Sequence, residues 1–323
     1  MPTWGEILQQ LKASADQRGG SPDFDGIRRQ YLARLATFTG RDTIIYYSDW
    51  LSGSLPQAAI TLEDMQGMME VCKGLKSRKL DLLIHSPGGS AEATASLVRY
   101  LRTRFDHIRV IVPLAAMSAG TMWALAADEI LMGAHSQLGP IDPQIQVRPG
   151  ERFTPARAVV EQFERAKEEC KADPSFLPAW APILQQYGPG LLSECEDAEH
   201  LAKRLVSEWL RDYMFKDVGD AEAQAAEVAD YFADYQKFRS HSLGISRETA
   251  REHGLRVTDL ENDHDLQDAV LSIHHTTLHT FAGQAVKIIE NHLGRAFIKT
   301  VQQISIPLQV PAQAVPPQAV PSA

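Results

Sequence analysis

The chain has 323 residues, of which 44% are hydrophobic and 23% are charged, and its formal net charge is −9. This hydrophobic content is sufficient for a sizeable folded core. The negative charge and the lack of a long Lys/Arg run argue against a protein that binds nucleic acid.

The cysteines and the lengths of the apolar runs indicate in which cellular compartment the protein resides. Cys72, Cys170 and Cys195 lie far apart and form no CxxC pair, and a sparse, odd set of this kind is typical of a reducing environment. The first 20 residues lack the apolar core of a signal peptide. No apolar run approaches the roughly 20 residues that a membrane span requires. We therefore expect a cytoplasmic protein without a membrane span.

The first half of the chain predicts a helical arm followed by an α/β core. Residues 1–40 carry apolar residues at helical spacing, and residues 41–150 alternate β-branched strand segments with amphipathic helices. This alternation predicts βαβ units and a mainly parallel sheet. The predicted strands are 43–48, 80–85, 109–114 and 129–133, and the predicted helices are 61–76, 91–105 and 118–128.

The sequence pattern of the second half of the chain differs from that of the first. Residues 151–235 are charged and helical in pattern, which predicts a helical insertion able to cover a cleft. Residues 236–300 predict a late strand and C-terminal helices, with a histidine-rich helix over 264–299. Residues 301–323 are rich in proline, so we expect an extended, flexible tail that is a possible site for a partner.

Two turns rich in small residues carry the candidate chemistry. SPGG at 86–89 and MSAGT at 117–121 each follow an apolar strand and open a helix. Ligands and reactive groups collect at this end of the strands in open α/β sheets. Ser118 stands at a helix start, where its hydroxyl is exposed in a positive field; a helix N-cap is the structural alternative. Gly88 and Gly89 either approach a substrate closely or simply form a tight turn.

Three segments resemble the ClpP–crotonase superfamily. They are IHSPGG at 84–89, AMSAGTMWALAADEI at 116–130 and HSQLGPIDPQ at 135–144. They are most similar to signal-peptide-peptidase-like serine peptidases, in particular the serine dehydrogenase proteinases. The resemblance implies a ClpP/crotonase-like spiral core and hydrolysis of peptide bonds through an acyl-enzyme on Ser118. It also implies an oxyanion hole formed by Gly88, Gly89 and the N–H of Ala119.

The general base remains open at this point. Signal-peptide-peptidase-like enzymes use a Ser–Lys dyad, whereas ClpP uses Ser-His-Asp. The resemblance favours Lys203, which lies among apolar residues that would lower its pKa by burial. Other candidates are Lys167, Lys171, His135 and His241; His135 and Asp142 follow the nucleophile closely in sequence, and His241 begins the predicted late strand.

A histidine cluster offers a possible metal site. His275 and His279 are four residues apart on one predicted helical face, beside His274. Such a pair can bind zinc. No glutamate completes an HExxH motif, so we expect a surface or subunit-interface role instead. We expect neither a metal nor a cofactor, and the lack of a GxxxxGK[ST] loop predicts an enzyme that is independent of ATP.

Two other functions fit the same fold. One is a crotonase-type enzyme acting on acyl-CoA, which would use carboxylates in place of Ser118. The other is a non-catalytic oligomeric scaffold. For the peptidase we expect a protein or peptide substrate and a homo-oligomeric state, because this superfamily is typically oligomeric.

Overall fold

The computed structural model describes residues 3–53, 56–148 and 152–300. The strands are β1 (Asp42–Ser48), β2 (Lys79–His85), β3 (His107–Val112), β4 (Ala115–Ala116), β5 (Glu129–Met132), β6 (Gln137–Leu138), β7 (Gln144–Ile145), β8 (Thr154–Pro155), β9 (Val257–Asp259), β10 (Ala285–Asn291) and β11 (Ala296–Thr300). The α-helices are α1 (Trp4–Gln17), α2 (Phe24–Thr39), α3 (Asp64–Cys72), α4 (Ala91–Arg102), α5 (Ala119–Leu125), α6 (Ala156–Ala172), α7 (Leu177–Leu184), α8 (Leu191–Trp209), α9 (Ala221–Ala233), α10 (Tyr235–Phe238), α11 (Arg247–Glu252) and α12 (His264–Thr280).

The central sheet has the strand order β11-β10-β1-β2-β3-β5-β9. Strands β1, β2, β3, β5 and β9 run parallel, whereas β10 is antiparallel to β1 and β11 is antiparallel to β10. The predicted α/β class with a mainly parallel sheet is therefore confirmed. The carboxyl ends of β2 and β3 lie side by side, so the two candidate turns leave the sheet at the same edge.

Both faces of the sheet are covered, which explains why the central strands are continuous apolar runs. Leu82 and Ile84 of β2 pack into the larger core with α3, α4 and α5. Leu83 points to the opposite face and packs with residues of α2 and α12. The alternation of side chains along a strand thus supplies both cores from one sequence.

The helical regions add to this sheet. Helix α2 packs against α12, and α8 packs against α6 and α9. No helix among the described residues is long and apolar enough to cross a membrane. The segment boundaries predicted at residues 40, 150, 235 and 300 stay a prediction, and the proline-rich tail 301–323 lies outside the described residues.

The prediction of a helix over 264–299 is wrong in its second half. Helix α12 ends at Thr280, and β10 and β11 then form a hairpin on the edge of the sheet. Gly294 adopts φ +82° in the turn between the two strands. The pairing of β10 with β1, which is more than 230 residues earlier, decides the strand conformation. Local sequence spacing carries no signal of that partner.

Candidate active site

Ser118 stands at the beginning of α5 in an unusual conformation. Its φ is +51° and its ψ is −121°, a region in which a residue with a side chain is strained. Its side chain makes no capping hydrogen bond to α5 and is half-buried. The geometry therefore gives no support to the alternative in which Ser118 serves as an N-cap, and it leaves the hydroxyl available.

The glycine turn is held directly against Ser118. The N–H of Ser86 donates to the carbonyl of Ala115 at 3.2 Å, and the N–H of Met117 donates to the carbonyl of Ser86 at 2.9 Å. A Cβ atom added to Gly88 would lie 2.6 Å from the Cβ of Ser118. Only glycine permits this approach of the two turns.

The backbone N–H groups of the two turns differ in their hydrogen-bond partners. The N–H of Gly88 donates to the hydroxyl of Ser86 at 3.2 Å. In the part of the chain that the structure describes, no acceptor is found for the N–H of Gly89 or of Ala119. N–H groups without an acceptor are the kind of donor that a developing oxyanion needs.

The segment after β6 passes close to the serine turn. Strand β6 pairs with β4, just before Ser118. The N–H of Gly139 donates to the hydroxyl of Thr121 at 2.8 Å, and a Cβ on Gly139 would lie 3.3 Å from the Cα of Met117. Asp142 follows three residues later.

Asp142 binds a histidine that is distant in sequence. The Nδ1 atom of His241 lies 2.7 Å from Oδ1 of Asp142, and the carboxylate is almost fully buried while the imidazole is 23% exposed. Leu138 and Ile245 exchange backbone hydrogen bonds of 3.0 and 2.8 Å, which bring the two segments together. A neutral imidazole that donates from Nδ1 to a carboxylate presents Nε2 as its basic nitrogen. Sequence analysis named both residues but missed this pairing.

Two of the three candidate lysines form ion pairs with carboxylates on the helices. Lys203 on α8 forms an ion pair of 2.8 Å with Asp230 on α9, and its side chain is 39% exposed. Lys167 pairs with Glu164 at 3.1 Å, and Lys171 is exposed. Among the described residues no hydrogen bond or ion pair joins any of these lysines to Ser118. A base role for Lys203 stays a prediction.

The other histidines that the sequence singled out differ in their burial and contacts. His135 is exposed, and the ring of His279 lies 3.7 Å, centroid to centroid, from that of Trp4 in α1. His274 is buried, with Nδ1 3.3 Å from the hydroxyl of Tyr47. The described residues contain no group of three or more potential ligands able to hold a metal ion. Burial of His274 and His279 within one chain argues against the expected surface role for these two residues.

The part of the chain that contains both candidate turns is similar to known proteins. Residues 57–178 match the family of ClpP-like SDH-type serine proteinases. An uncharacterized protein of Methanocaldococcus jannaschii is 36% identical over 166 residues, which cover 48% of this chain and 55% of that protein. The chain thus spans about half the length of this curated relative.

Solved structures give weaker similarities. A mutant of the 1510-N membrane-bound stomatin-specific protease is 16% identical, with a TM-score of 0.35, over 62% of this chain and 74% of that one. A ClpP1 mutant from Listeria monocytogenes is 14% identical, with a TM-score of 0.34, over 74% of this chain and 98% of that one. The family match is the stronger finding, and it contains both candidate turns and Asp142. Over residues 57–178, which include both candidate turns, the chain is similar to the ClpP-like SDH-type serine proteinases.

Proposed function

We propose that this protein is a serine peptidase in which Ser118 is the nucleophile, His241 is the general base and Asp142 orients the base. The observation that carries the proposal is the 2.7 Å contact between His241 Nδ1 and Asp142 Oδ1. Asp142 lies three residues after Gly139, and Gly139 contacts the turn that bears Ser118. We prefer His241 to Lys203 because Lys203 is already paired with Asp230.

In the proposed reaction the Oγ atom of Ser118 attacks the carbonyl carbon of the peptide bond while Nε2 of His241 accepts the hydroxyl proton. The N–H groups of Gly89 and Ala119 bind the resulting oxyanion. Collapse of this intermediate breaks the C–N bond, and the imidazolium gives its proton to the departing amine. Water then attacks the acyl-enzyme with His241 again as base, which releases the second product and restores Ser118.

The assignment of donors refines the expectation for the glycine turn. Gly88, Gly89 and Ala119 are all expected to form the oxyanion hole. The N–H of Gly88 is bonded to Ser86 within the chain, so we propose that Gly88 provides the close approach and that Gly89 and Ala119 provide the donors. Loss of one such donor costs about 2.7–4 kcal/mol of transition-state stabilisation.

The test is covalent labelling combined with peptide cleavage. A fluorophosphonate probe should add its mass to the intact protein, and Ser118→Ala should abolish both labelling and cleavage of a quenched fluorescent peptide library. Ser90→Ala is the matched control, because Ser90 does cap a helix by accepting from the N–H of Ala93 at 3.0 Å. It should lose about 1 kcal/mol of stability and keep its labelling.

Cleavage that persists in Ser118→Ala would overturn the peptidase mechanism. The same experiment separates the two alternatives, since neither an acyl-CoA enzyme using carboxylates nor a non-catalytic scaffold depends on this hydroxyl. ATP should be unnecessary for cleavage. The cytoplasmic location and a partner at the proline-rich tail are further proposals, supported by the sparse cysteines and by the composition of residues 301–323.

A further inference from the structure

A buried ion pair links the edge of the sheet to the start of α3. Nζ of Lys287, on β10, lies 2.9 and 2.7 Å from the two carboxylate oxygens of Asp64. Both side chains are fully buried, and the hydroxyl of Tyr46 donates to Oδ2 of Asp64 at 2.7 Å. Burial lowers the pKa of Lys287, and Asp64 opposes this effect.

Such a pair is not an efficient way to stabilise a fold. Removing two charges from water carries a desolvation penalty, and apolar residues of similar volume are often as stabilising or more so. The Lys287–Asp64 pair also binds groups outside itself, and these contacts distinguish it from a purely stabilising ion pair.

Both members bind the backbone of one short loop. Nζ of Lys287 donates to the carbonyl of Ala59 at 2.7 Å, and the N–H of Thr61 donates to Oδ2 of Asp64 at 2.9 Å. These two backbone groups flank Ile60. The pair thus fixes Ile60 from both sides, although Lys287 is more than 220 residues away in sequence.

Ile60 in turn clamps the glycine turn. Its N–H donates to the carbonyl of Gly88 at 2.7 Å, and its carbonyl accepts from the N–H of Ser90 at 3.0 Å. A Cβ on Gly89 would lie 2.3 Å from the backbone nitrogen of Ile60. In a parallel bridge of this kind, the N–H of the middle residue points away from its partner. The N–H of Gly89 therefore points away from Ile60, which leaves it free to donate to another acceptor.

We propose that the Lys287–Asp64 pair is a positioning device that holds Ile60 against Gly89 and so keeps the N–H of Gly89 aimed at the oxyanion. This inference rests on the proposed peptidase function. Lys287, Asp64 and Ile60 are positioning residues, because they act on the reaction through Gly89.

The test replaces the pair by apolar residues of similar size in Lys287→Met/Asp64→Leu. The matched control is Arg28→Met/Glu290→Leu, since Arg28 and Glu290 also form a fully buried pair at 2.5 Å, and Glu290 is likewise on β10 but binds α2. Peptide kcat, KM and the probe-labelling rate are measured in both. Amide hydrogen exchange at Ile60 and Ser90 is compared with global stability.

Replacing the Lys287–Asp64 pair should lower kcat and the labelling rate by about 10²-fold, as for the loss of one oxyanion donor, with little change in KM. Exchange protection at Ile60 and Ser90 should fall at the same time. The control should keep wild-type kinetics and protection at these two amides. If the double variant does not fold, Tyr46→Phe removes one hydrogen bond to Asp64 and should give a smaller loss in the same direction.

Wild-type kcat in Lys287→Met/Asp64→Leu or in Tyr46→Phe would overturn the inference, and so would an equal loss in the control. Failure of the proposed function has a different signature, because the wild-type protein itself would then show no labelling of Ser118. In that case the oxyanion role falls with it, and hydrogen exchange alone decides whether the pair holds Ile60.

Discussion

Substitution of Gly88 by alanine places an atom against Ser118, the proposed nucleophile, and the N–H of Ala119, a proposed oxyanion donor. The added Cβ would lie 2.6 Å from the Cβ of Ser118, 2.7 Å from the carbonyl oxygen of Met117 and 3.0 Å from the nitrogen of Ala119. Ordinary contact begins at 3.4 Å, so Ser118 or the glycine turn must retreat by 0.8 Å. A misplacement of about 1 Å costs about 10²-fold in rate, and we expect Gly88→Ala to lose about that much.

Backbone strain is a separate effect that the control removes. Gly88 has φ +100°, and Gly20 has φ +106° with no atom near its would-be Cβ. Both alanine variants therefore incur about 1–2 kcal/mol of backbone strain, but only Gly88→Ala disturbs the site. The assay is the rate of fluorophosphonate labelling, with thermal unfolding measured in parallel. Wild-type labelling in Gly88→Ala, or an equal loss in Gly20→Ala, would refute this reasoning.

Three further predictions concern the triad, acid stability and assembly. Asp142→Asn should lower kcat about 10⁴-fold because His241 loses its orienting carboxylate; near-native kcat would contradict the role of Asp142. Burial lowers the pKa of His85 from 6.5 to about 4. The unfolded chain then binds more protons, so the free energy of unfolding should fall by up to about 3 kcal/mol as the pH falls from 6.5 to 4. The free energy of unfolding of His85→Leu, measured in urea, should depend less on pH than that of the wild type, and an equal dependence would contradict this. Sedimentation should give a mass above the 35.8 kDa of one chain, whereas a monomer at micromolar concentration would contradict the oligomer.

The apolar residues of segments 1–40 and 264–299 bear on the predicted homo-oligomer, because such residues can pack either within one chain or against a second copy. The structure uses many of them within the chain, because α2 packs against α12 and β10 enters the sheet. The expectation of a homo-oligomer therefore depends on the resemblance to oligomeric proteins of this superfamily.

Local sequence patterns were sufficient to predict most of the α/β core. Strand β2 is an apolar run ending at a small-residue turn, and α4 begins at Ser90, whose hydroxyl caps the helix. These signals lie within a few residues of one another, so spacing and residue type reveal them. The same holds for the two turns that meet at Ser118.

The pairing of Asp142 with His241, which we propose to serve Ser118, could not be predicted in this way. Asp142 and His241 are 99 residues apart, and a long helical region separates them. Lys203 looked suitable because apolar residues surround it in sequence. On α8, however, Ala202, Val206 and Trp209 form the buried face, and Lys203 lies at its flank, where it reaches Asp230. Helical periodicity places the buried stripe but does not decide how a flanking residue is paired.

The decisive measurement for the proposed triad is the labelling rate of Ser118 in two variants measured side by side, His241→Ala and Lys203→Ala. Wild-type protein should gain one probe mass on Ser118. His241→Ala should be labelled more slowly by about 10²–10⁴-fold, the usual contribution of a general base. Lys203→Ala should react at the wild-type rate. Rapid labelling of His241→Ala together with an unreactive Lys203→Ala would contradict the triad and restore the Ser–Lys dyad.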